Sequence, residues 1–115
     1  MSEFLADLAQ KVVIVTGGAR GIGEEMVRQF ANYGAKVAVI DIDKSNLEKS
    51  NANHQNASQI HKYQCDLTDE KKTIETFNQI KKDLARVDVL INNAMFHDPT
   101  DYLNTTLEQI GRAHV

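Results

Sequence analysis

Three glycines in the stretch TGGARGIG, at positions 17, 21 and 23, directly follow a short apolar run. A strand that turns tightly into a helix points the free N–H groups of that helix at one place, which suits a pyrophosphate. Gly17 would permit the turn, Gly21 would let backbone approach the phosphates, and Gly23 would let the helix pack close to the sheet. Asp41 follows Gly17 by 24 residues, where a carboxylate accepts both ribose hydroxyls of an adenosine. The spacing predicts a dinucleotide-binding site; the alternatives are a purely structural turn and, for Asp41, a helix N-cap.

The strands that must position this site are marked by four segments. Residues 12–15 and 37–40 are continuous apolar runs, which are typical of strands buried on both faces. Residues 60–65 alternate in polarity, and residues 87–91 form a further, mainly apolar run. Strands separated by helices at this rhythm pack as right-handed crossovers in a parallel sheet with helices on both faces. We therefore expect an α/β, Rossmann-like sheet in the order 3-2-1-4, truncated after the fourth strand.

Helix signals fill the intervals between these strands. A stripe of apolar side chains follows the glycines at helical spacing until a stop at Gly34: Ile22, Met26 and Phe30, flanked by Val27 and Ala31. Residues 44–59 are polar around Leu47, which indicates a short helix and a loop. Thr68 is expected to cap a third helix with an acidic first turn. The expected apolar face of that helix consists of Ile74, Phe77, Ile80 and Leu84.

The composition limits the partners and the cellular location. The net charge of -3 gives no support for a nucleic-acid partner, and no run approaches the roughly 18 apolar residues of a membrane span. The opening MSEFLADLAQK lacks the basic and apolar regions of a signal peptide. Cys65 is the single cysteine, which excludes an internal disulfide and favours a small buried side chain at a strand end. We expect a cytoplasmic protein that binds neither nucleic acid nor membrane.

Three motifs, in order and spacing, resemble the short-chain dehydrogenase/reductase family. The glycine stretch matches TGxxxGxG rather than the GxGxxG of other dinucleotide-binding folds, CDLTD occupies residues 65–69, and NNA occupies residues 92–94. The resemblance runs from about residue 11 to residue 109, and it implies that residues 1–115 are a partial NAD(P)-binding Rossmann domain, the amino-terminal portion of a longer parent protein. One departure is Met95, which stands where the family has a glycine after NNA and would crowd the nicotinamide pocket or the substrate entrance.

The resemblance assigns roles to residues that follow the third and fourth strands. Asp66 would bond the adenine amino group, and Leu67 would pack beside the adenine ring. Asn93 and Ala94 would lie under the nicotinamide-side ribose, while Asn92 would hold the fourth strand. These positions fall at the carboxyl ends of parallel strands, where such sheets bind ligands. The alternatives are a turn or cap role for Asp66 and, for the asparagines, simple satisfaction of loop backbone.

The choice between NAD and NADP depends on two side chains of opposite charge. Arg20 resembles the basic residue that NADP-using members place near the 2′-phosphate. Asp41 would repel that phosphate at close range and bond an unmodified ribose, and this repulsion should outweigh one flexible, solvated arginine. NAD is therefore the expected cofactor, with NADP as the alternative. Ile22 and Ile42, which adjoin the glycine turn and Asp41, complete the expected cofactor-binding set.

The family's catalytic groups are not found in this sequence. Members use a Tyr-x-x-x-Lys pair and an earlier serine, but neither Tyr33, Tyr63 nor Tyr102 is followed by a lysine at that spacing. A further family asparagine would fall where IGRAHV now stands, so no catalytic residue is assigned. No metal site is expected either, because the histidines lack ligand spacing and are interpreted as surface residues: His54, His61, His97 and His114.

The parent protein is expected to be an NAD(P)-dependent oxidoreductase. By resemblance it would act on an alcohol or carbonyl substrate as a homo-oligomer. The alternative is a non-catalytic dinucleotide-binding module, and a weaker alternative is a methyltransferase-like domain.

The codons ATC GGA AGA GCA CAC GTC, a common sequencing-library adapter, encode IGRAHV. We therefore expect residues 110–115 to be foreign to the gene, the alternatives being a natural short form or genuine divergence. Alone, residues 1–115 are expected to be insoluble or molten and inactive, with the fourth strand left as an exposed edge.

Overall fold

Four parallel strands form one sheet in residues 8–94, the part of the chain that the computed structural model describes. Their order is β3-β2-β1-β4, which confirms the predicted order. The strands are β1 (Val12–Thr16), β2 (Lys36–Asp41), β3 (Ile60–Gln64) and β4 (Val89–Asn92). Thr16 pairs with Ile40 on one side and with Asn92 on the other, so the carboxyl ends of the central strands lie at one edge of the sheet.

Within residues 8–94, three α-helices cover the sheet: α1 (Gly21–Asn32), α2 (Lys44–Lys49) and α3 (Glu70–Leu84). A 3-10 turn at Ala57–Gln59 precedes β3. The short polar helix predicted around Leu47 is confirmed as α2, and that leucine is buried in the core. No helix within residues 8–94 combines the length and apolar character that a bilayer crossing requires.

The core lies on both faces of the sheet, as expected for alternating side chains of a buried parallel sheet. One face carries Val13, Val15, Val37 and Val39 and packs against α1 and α2 through Val27, Ala31 and Leu47. The opposite face carries Val12, Ile14, Ala38 and Ile40 and packs against α3 through Ile80 and Leu84. Because β1 lies between β2 and β4, every one of its residues is buried.

The predicted apolar faces of α1 and α3 are wrong near their amino ends. Ile22 is 77% exposed, and Ile74 is 55% exposed. A helix turns by about 100° per residue, so adjacent residues face different directions. In α1 the buried positions are Gly23, Val27 and Ala31, one position later than the predicted stripe and with the same spacing of four, while Met26 and Phe30 are only partly buried.

Two element boundaries also differ from the sequence prediction. The N-cap of α3 is Asp69, whose carboxylate accepts a hydrogen bond from the Lys72 amide at 3.1 Å. The Thr68 hydroxyl, which was expected to cap this helix, donates to Asp66 Oδ1 at 2.6 Å. Strand β4 begins at Val89, after Val87, which is exposed. Just before β4, Asp88 bonds to the start of β1 twice: its amide donates to the Val12 carbonyl oxygen at 2.9 Å, and its carboxylate accepts the Val12 amide at 2.9 Å.

The contrast between two isoleucines of α3 gives a test of this packing. Ile80 is fully buried, so Ile80→Ala in the parent protein should lower the free energy of unfolding by about 2–5 kcal/mol. Ile74→Ala makes the same chemical change at an exposed position of the same helix and is the matched control. Denaturant unfolding of both variants measures the difference; equal destabilisation would contradict the placement of α3.

Candidate cofactor-binding site

The glycine turn joins β1 to α1 and leaves open space in front of the helix. Gly17 and Gly21 have φ values of +64° and +60°, in the left-handed region that favours glycine. A Cβ added at Gly21 would meet no atom of residues 8–94 within 4 Å. The backbone at this position is thus accessible to a ligand at close range.

The first turn of α1 differs from the first turns of the other two helices. Asp43 and Asp69 cap α2 and α3 by accepting backbone N–H groups, whereas Arg20 at the N-cap of α1 makes no side-chain cap. The leading N–H groups of a helix have no partner within the helix, and they carry its partial positive charge. Among the described residues 8–94, the amino end of α1 therefore keeps N–H donors free for an anion.

Glycines 17 and 23 are required by packing against the end of β4. A Cβ at Gly17 would lie 3.0 Å from the Ala94 Cα, and a Cβ at Gly23 would overlap the Gly17 carbonyl oxygen and lie 2.6 Å from the Asn93 Nδ2. The expected role of Gly23, close packing of the helix on the sheet, is thus only part of its function. It packs against the turn and the segment after β4.

Gly18 is a residue that the sequence interpretation missed. It is buried, and a Cβ there would lie 2.8 Å from Val39 Cγ1 and 3.1 Å from Val27 Cγ2. These valines belong to β2 and α1, so Gly18 allows close contact between the turn, the sheet and the helix. The second glycine of TGG was the feature of the sequence that could have indicated this close contact.

The hydroxyl group of Thr16 joins the glycine turn to the segment that follows β4. It accepts the amide N–H groups of Asn93 at 2.9 Å and Ala94 at 3.1 Å, and it donates to Asn92 Oδ1 at 2.9 Å. A hydroxyl has one donor and two acceptor positions, so this buried group is fully used. Thr16 was not among the expected site residues, although it is the first letter of the motif.

Asparagines 92 and 93 both contact the strand and turn around β1. The bond from Thr16 to Asn92 ties β4 to β1, in line with the role that the resemblance gave Asn92. Asn93 Nδ2 donates to the Gly17 carbonyl oxygen at 3.2 Å, so this side chain satisfies loop backbone, the alternative raised above. The structure thus brings the NNA segment directly against the glycine turn.

Asp41, the last residue of β2, lies beside the glycine turn. Its Oδ2 accepts the Ala19 amide at 3.2 Å, and its Oδ1 accepts the Asp43 amide at 3.0 Å. The helix N-cap alternative for Asp41 is excluded, because Asp43 caps α2 and accepts the Asn46 amide at 2.9 Å. The expected ribose-binding acid and the expected phosphate-binding turn therefore meet in one place.

Asp66 lies on a shallow depression of about 250 Å³ between the ends of β2 and β3 and the start of α3. The depression is lined by Ile42, Gln64, Cys65, Asp66, Asp69 and Lys72. The Asp66 Oδ1 accepts both the amide (2.9 Å) and the hydroxyl (2.6 Å) of Thr68, and these bonds hold the pKa of the carboxyl below its usual range. Asp66 is thus a turn residue in this structure, and its Oδ2 accepts no hydrogen bond from residues 8–94.

The remaining expected residues differ in exposure around this edge of the sheet. Ile22 and Ile42 are exposed, as is Arg20, which forms no salt bridge within the described part of the chain. Leu67 is partly buried against the core of the α3 face. Apolar side chains on either side of the turn and of Asp41 are thus available to a ligand.

Tyrosine and cysteine side chains are further candidates for chemistry in residues 8–94. The Tyr63 hydroxyl donates to Asp83 at 2.8 Å, and burial together with that carboxylate raises the pKa of Tyr63 to about 12. Tyr33 is exposed at the end of α1, and Cys65 is buried after β3 as predicted. Residues 8–94 contain no cluster of three side chains able to hold a metal ion.

Several sequence predictions lie outside the described residues. They concern Met95, His97, Tyr102, His114 and the foreign origin expected for residues 110–115.

The role of the Thr16 hydroxyl can be tested with two substitutions. Thr16→Val in the parent protein removes the acceptor shared by Asn93 and Ala94, which should lower the free energy of unfolding by about 1–3 kcal/mol. Thr16→Ser keeps the hydroxyl and is the control. Unfolding curves for both variants provide the measurement, and a serine variant as unstable as the valine variant would show that the hydroxyl bonds contribute little.

Comparisons with known proteins agree with this geometry. A family model described as short chain dehydrogenase matches residues 11–113. Short-chain dehydrogenase reductase 3a of Arabidopsis thaliana is 36% identical over 103 residues, covering 89% of this chain and 40% of that protein. The crystal structure of a short chain dehydrogenase from Bacillus anthracis is 35% identical with a TM-score of 0.72, covering 82% of this chain and 39% of that chain.

Two further solved structures contain different cofactors. NAD+-bound xylitol dehydrogenase is 28% identical with a TM-score of 0.76, covering 87% of this chain and 42% of that chain. The C-domain of a bacterial malonyl-CoA reductase with NADP is 26% identical with a TM-score of 0.71, covering 84% of this chain and 16% of that chain. This chain thus spans less than half the length of each of these proteins. The motif resemblance is confirmed: the chain belongs to the short-chain dehydrogenase family, whose Rossmann-like fold binds NAD(P).

Proposed function

We propose that this chain binds NAD at the carboxyl ends of β1, β2, β3 and β4, as the cofactor-binding part of an oxidoreductase. The observation that carries the proposal is the 3.2 Å hydrogen bond between the Ala19 amide and Asp41 Oδ2. It joins a strand–turn–helix unit suited to a pyrophosphate to a strand-end carboxylate suited to a ribose.

The pyrophosphate would lie at the glycine turn. Gly21 offers backbone without an obstructing side chain, and the amino end of α1 offers uncapped N–H groups. An anion at such a terminus is stabilised both by hydrogen bonds and by the helix dipole. Ile22, exposed in the first turn, would cover the bound phosphates from the solvent side.

The adenosine would lie over the ends of β2 and β3. Each oxygen of Asp41 accepts one backbone N–H group and has a second lone pair, so one acceptor position on each remains for the two ribose hydroxyls. Ile42 and Leu67 provide apolar surface for the adenine ring, and Asp66 Oδ2 is available to accept its amino group. Asn93 and Ala94, held by Thr16, would contact the nicotinamide half.

Asp41 favours NAD over NADP. A 2′-phosphate would approach a carboxylate that is already held in place by two backbone bonds and cannot easily turn away. Arg20 would be the counter-charge for NADP, but its side chain is exposed and solvated, so its attraction is screened. The solved relatives include one structure with NAD+ and one with NADP, so the preference proposed here depends on Asp41.

The parent protein would transfer hydride between the nicotinamide and an alcohol or carbonyl substrate. The chain spans 40% of the Arabidopsis relative, so we assign it to the amino-terminal portion of such a protein, with residues 1–115 as part of its Rossmann domain. The catalytic Ser, Tyr and Lys would lie beyond this portion. A homo-oligomer in the cytoplasm is the proposed setting, and the single free cysteine is compatible with a reducing compartment.

The first prediction tests the ribose assignment. Asp41→Ala in the parent protein should weaken NAD binding and reduce the preference for NAD over NADP at least tenfold, because both the acceptor and the repulsive charge are lost. Asp41→Asn is the control that keeps a hydrogen-bond acceptor but removes the charge, so it should relax the exclusion of NADP with a smaller loss of NAD affinity. Paired binding titrations with the two cofactors give the ratio. An unchanged ratio in Asp41→Ala would overturn the assignment.

A second prediction separates phosphate binding from backbone strain. Gly21 and Gly34 both have positive φ, and a Cβ at either would meet no protein atom closer than 3.6 Å. An alanine at either position therefore carries a similar backbone cost of about 1–2 kcal/mol. Gly21→Ala should abolish NAD binding, whereas Gly34→Ala, at the far end of α1, should lower only stability. Titration and thermal melting distinguish them, and equal NAD affinities would refute the phosphate site.

A third prediction separates an enzyme from a non-catalytic binding module. The purified parent protein should reduce NAD in the presence of a panel of alcohols, with turnover lost in Asp41→Ala at low cofactor concentration. The formation of NADH, followed by absorbance, measures this activity. NAD binding without turnover on any alcohol or carbonyl would favour the module.

A further inference from the structure

Asp43 begins helix α2 and is held firmly by it. Its carboxylate accepts the Asn46 amide at 2.9 Å, and its carbonyl oxygen accepts the Leu47 amide at 3.0 Å. Leu47 is buried in the core of the α1 face, which fixes α2 to the sheet. The position of the Asp43 backbone is therefore set by a side-chain cap, by the first helical hydrogen bond and by the core.

This backbone presents its N–H group to the acid at the end of β2. The Asp43 amide donates to Asp41 Oδ1 at 3.0 Å, while the Ala19 amide donates to Asp41 Oδ2 at 3.2 Å. The two donors come from different elements, α2 and the glycine turn, so they fix the carboxylate from both sides. A carboxylate held in this way has its remaining lone pairs in fixed directions.

The residue between the two aspartates contributes little to this arrangement. Ile42 is exposed, so its side chain does not anchor the segment by burial. Its carbonyl oxygen accepts Gln64 Nε2 at 3.2 Å, which holds the segment towards β3 but does not orient the Asp43 amide. The N-cap bond is therefore the contact of the Asp43 side chain that keeps this amide directed at Asp41.

We propose that Asp43 is a positioning residue for Asp41 and, through it, a determinant of the choice between NAD and NADP. This inference rests on the proposed function, in which Asp41 binds the adenosine ribose. The Asp43 side chain acts as an N-cap and not as a second repulsive charge. When the cap is lost, the first turn of α2 frays, the Asp43 amide leaves Asp41 Oδ1, and the carboxylate becomes free to rotate.

The first experiment compares two substitutions at Asp43 in the parent protein. Asparagine is also a good N-cap, so Asp43→Asn removes the charge but keeps the cap, whereas Asp43→Ala removes both. We expect Asp43→Ala to weaken NAD binding roughly fivefold, the equivalent of ~1 kcal/mol, and to lower the NAD-to-NADP affinity ratio. Asp43→Asn should bind both cofactors as the unchanged protein does. Asp43→Gly, which also lacks the side-chain cap but costs the helix less stability than alanine, serves if the alanine variant fails to fold, and it should change the cofactor ratio in the same direction.

A double-mutant cycle with Asp41→Ala tests whether Asp43 acts through Asp41. The effect of Asp43→Ala on NAD affinity should disappear in the Asp41→Ala background, because no carboxylate remains to be positioned. A merely structural role would persist in that background, so an undiminished effect overturns the proposal. The proposal is also overturned if Asp43→Ala leaves NAD affinity and the cofactor ratio unchanged, or if Asp43→Asn is as damaging as Asp43→Ala.

The same measurements separate this inference from the proposed function. If Asp41→Ala alone weakens NAD binding while Asp43→Ala does not, the ribose assignment stands and the positioning role of Asp43 fails. If Asp41→Ala leaves NAD affinity and the cofactor ratio unchanged, the ribose assignment fails and the positioning role falls with it.

Discussion

The hydroxyl group of Thr16 is the contact on which the candidate site depends. It accepts two amide N–H groups from the segment after β4 and donates to the side chain of Asn92, which uses its full hydrogen-bonding capacity. The segment it holds lies against Gly17 and Gly23, where there is no room for a side chain. One buried polar group thus connects the glycine turn with the NNA segment, and it also ties β4 to β1.

The four glycines of the turn region have different physical functions. Gly17 and Gly23 allow close contact with the segment after β4, and Gly18 allows close contact between the turn, β2 and α1. Gly21 alone among them faces open space within the described residues, and it combines this with a positive φ. Three of the glycines therefore build the turn, and the fourth leaves it accessible, which explains why a tightly packed turn still offers backbone to a ligand.

Backbone N–H groups hold the carboxylates at this edge of the sheet in place. Asp41 and Asp66 each accept backbone N–H groups, from Ala19 and Asp43 in one case and from Thr68 in the other. Hydrogen bonds to an ionised carboxylate are stronger than those between neutral groups, so they hold the charges in fixed places. Because the donors belong to the turn and to the helix starts, the positions of the charges follow from the fold.

The sequence determined the fold, because hydrophobic periodicity and glycine spacing are local signals that directly reflect strand burial and turn geometry. The strand order, the short helix at Leu47 and the burial of Cys65 were predicted in this way, and the family was predicted from the resemblance of three motifs. The tertiary structure decided which side of each helix is buried. Ile22 and Ile74 share the spacing of core residues, but no other element of residues 8–94 buries them.

The details of the site were likewise decided by contacts between residues distant in the chain. No local pattern shows that Gly18 meets Val39, that Thr16 binds residues 93 and 94, or that Asp43 and not Asp41 caps α2. The motif letters identified the residue types that the site requires. Their partners depend on strand register and helix placement, because a hydrogen bond or a steric contact is set by distances in space, which sequence spacing alone does not fix.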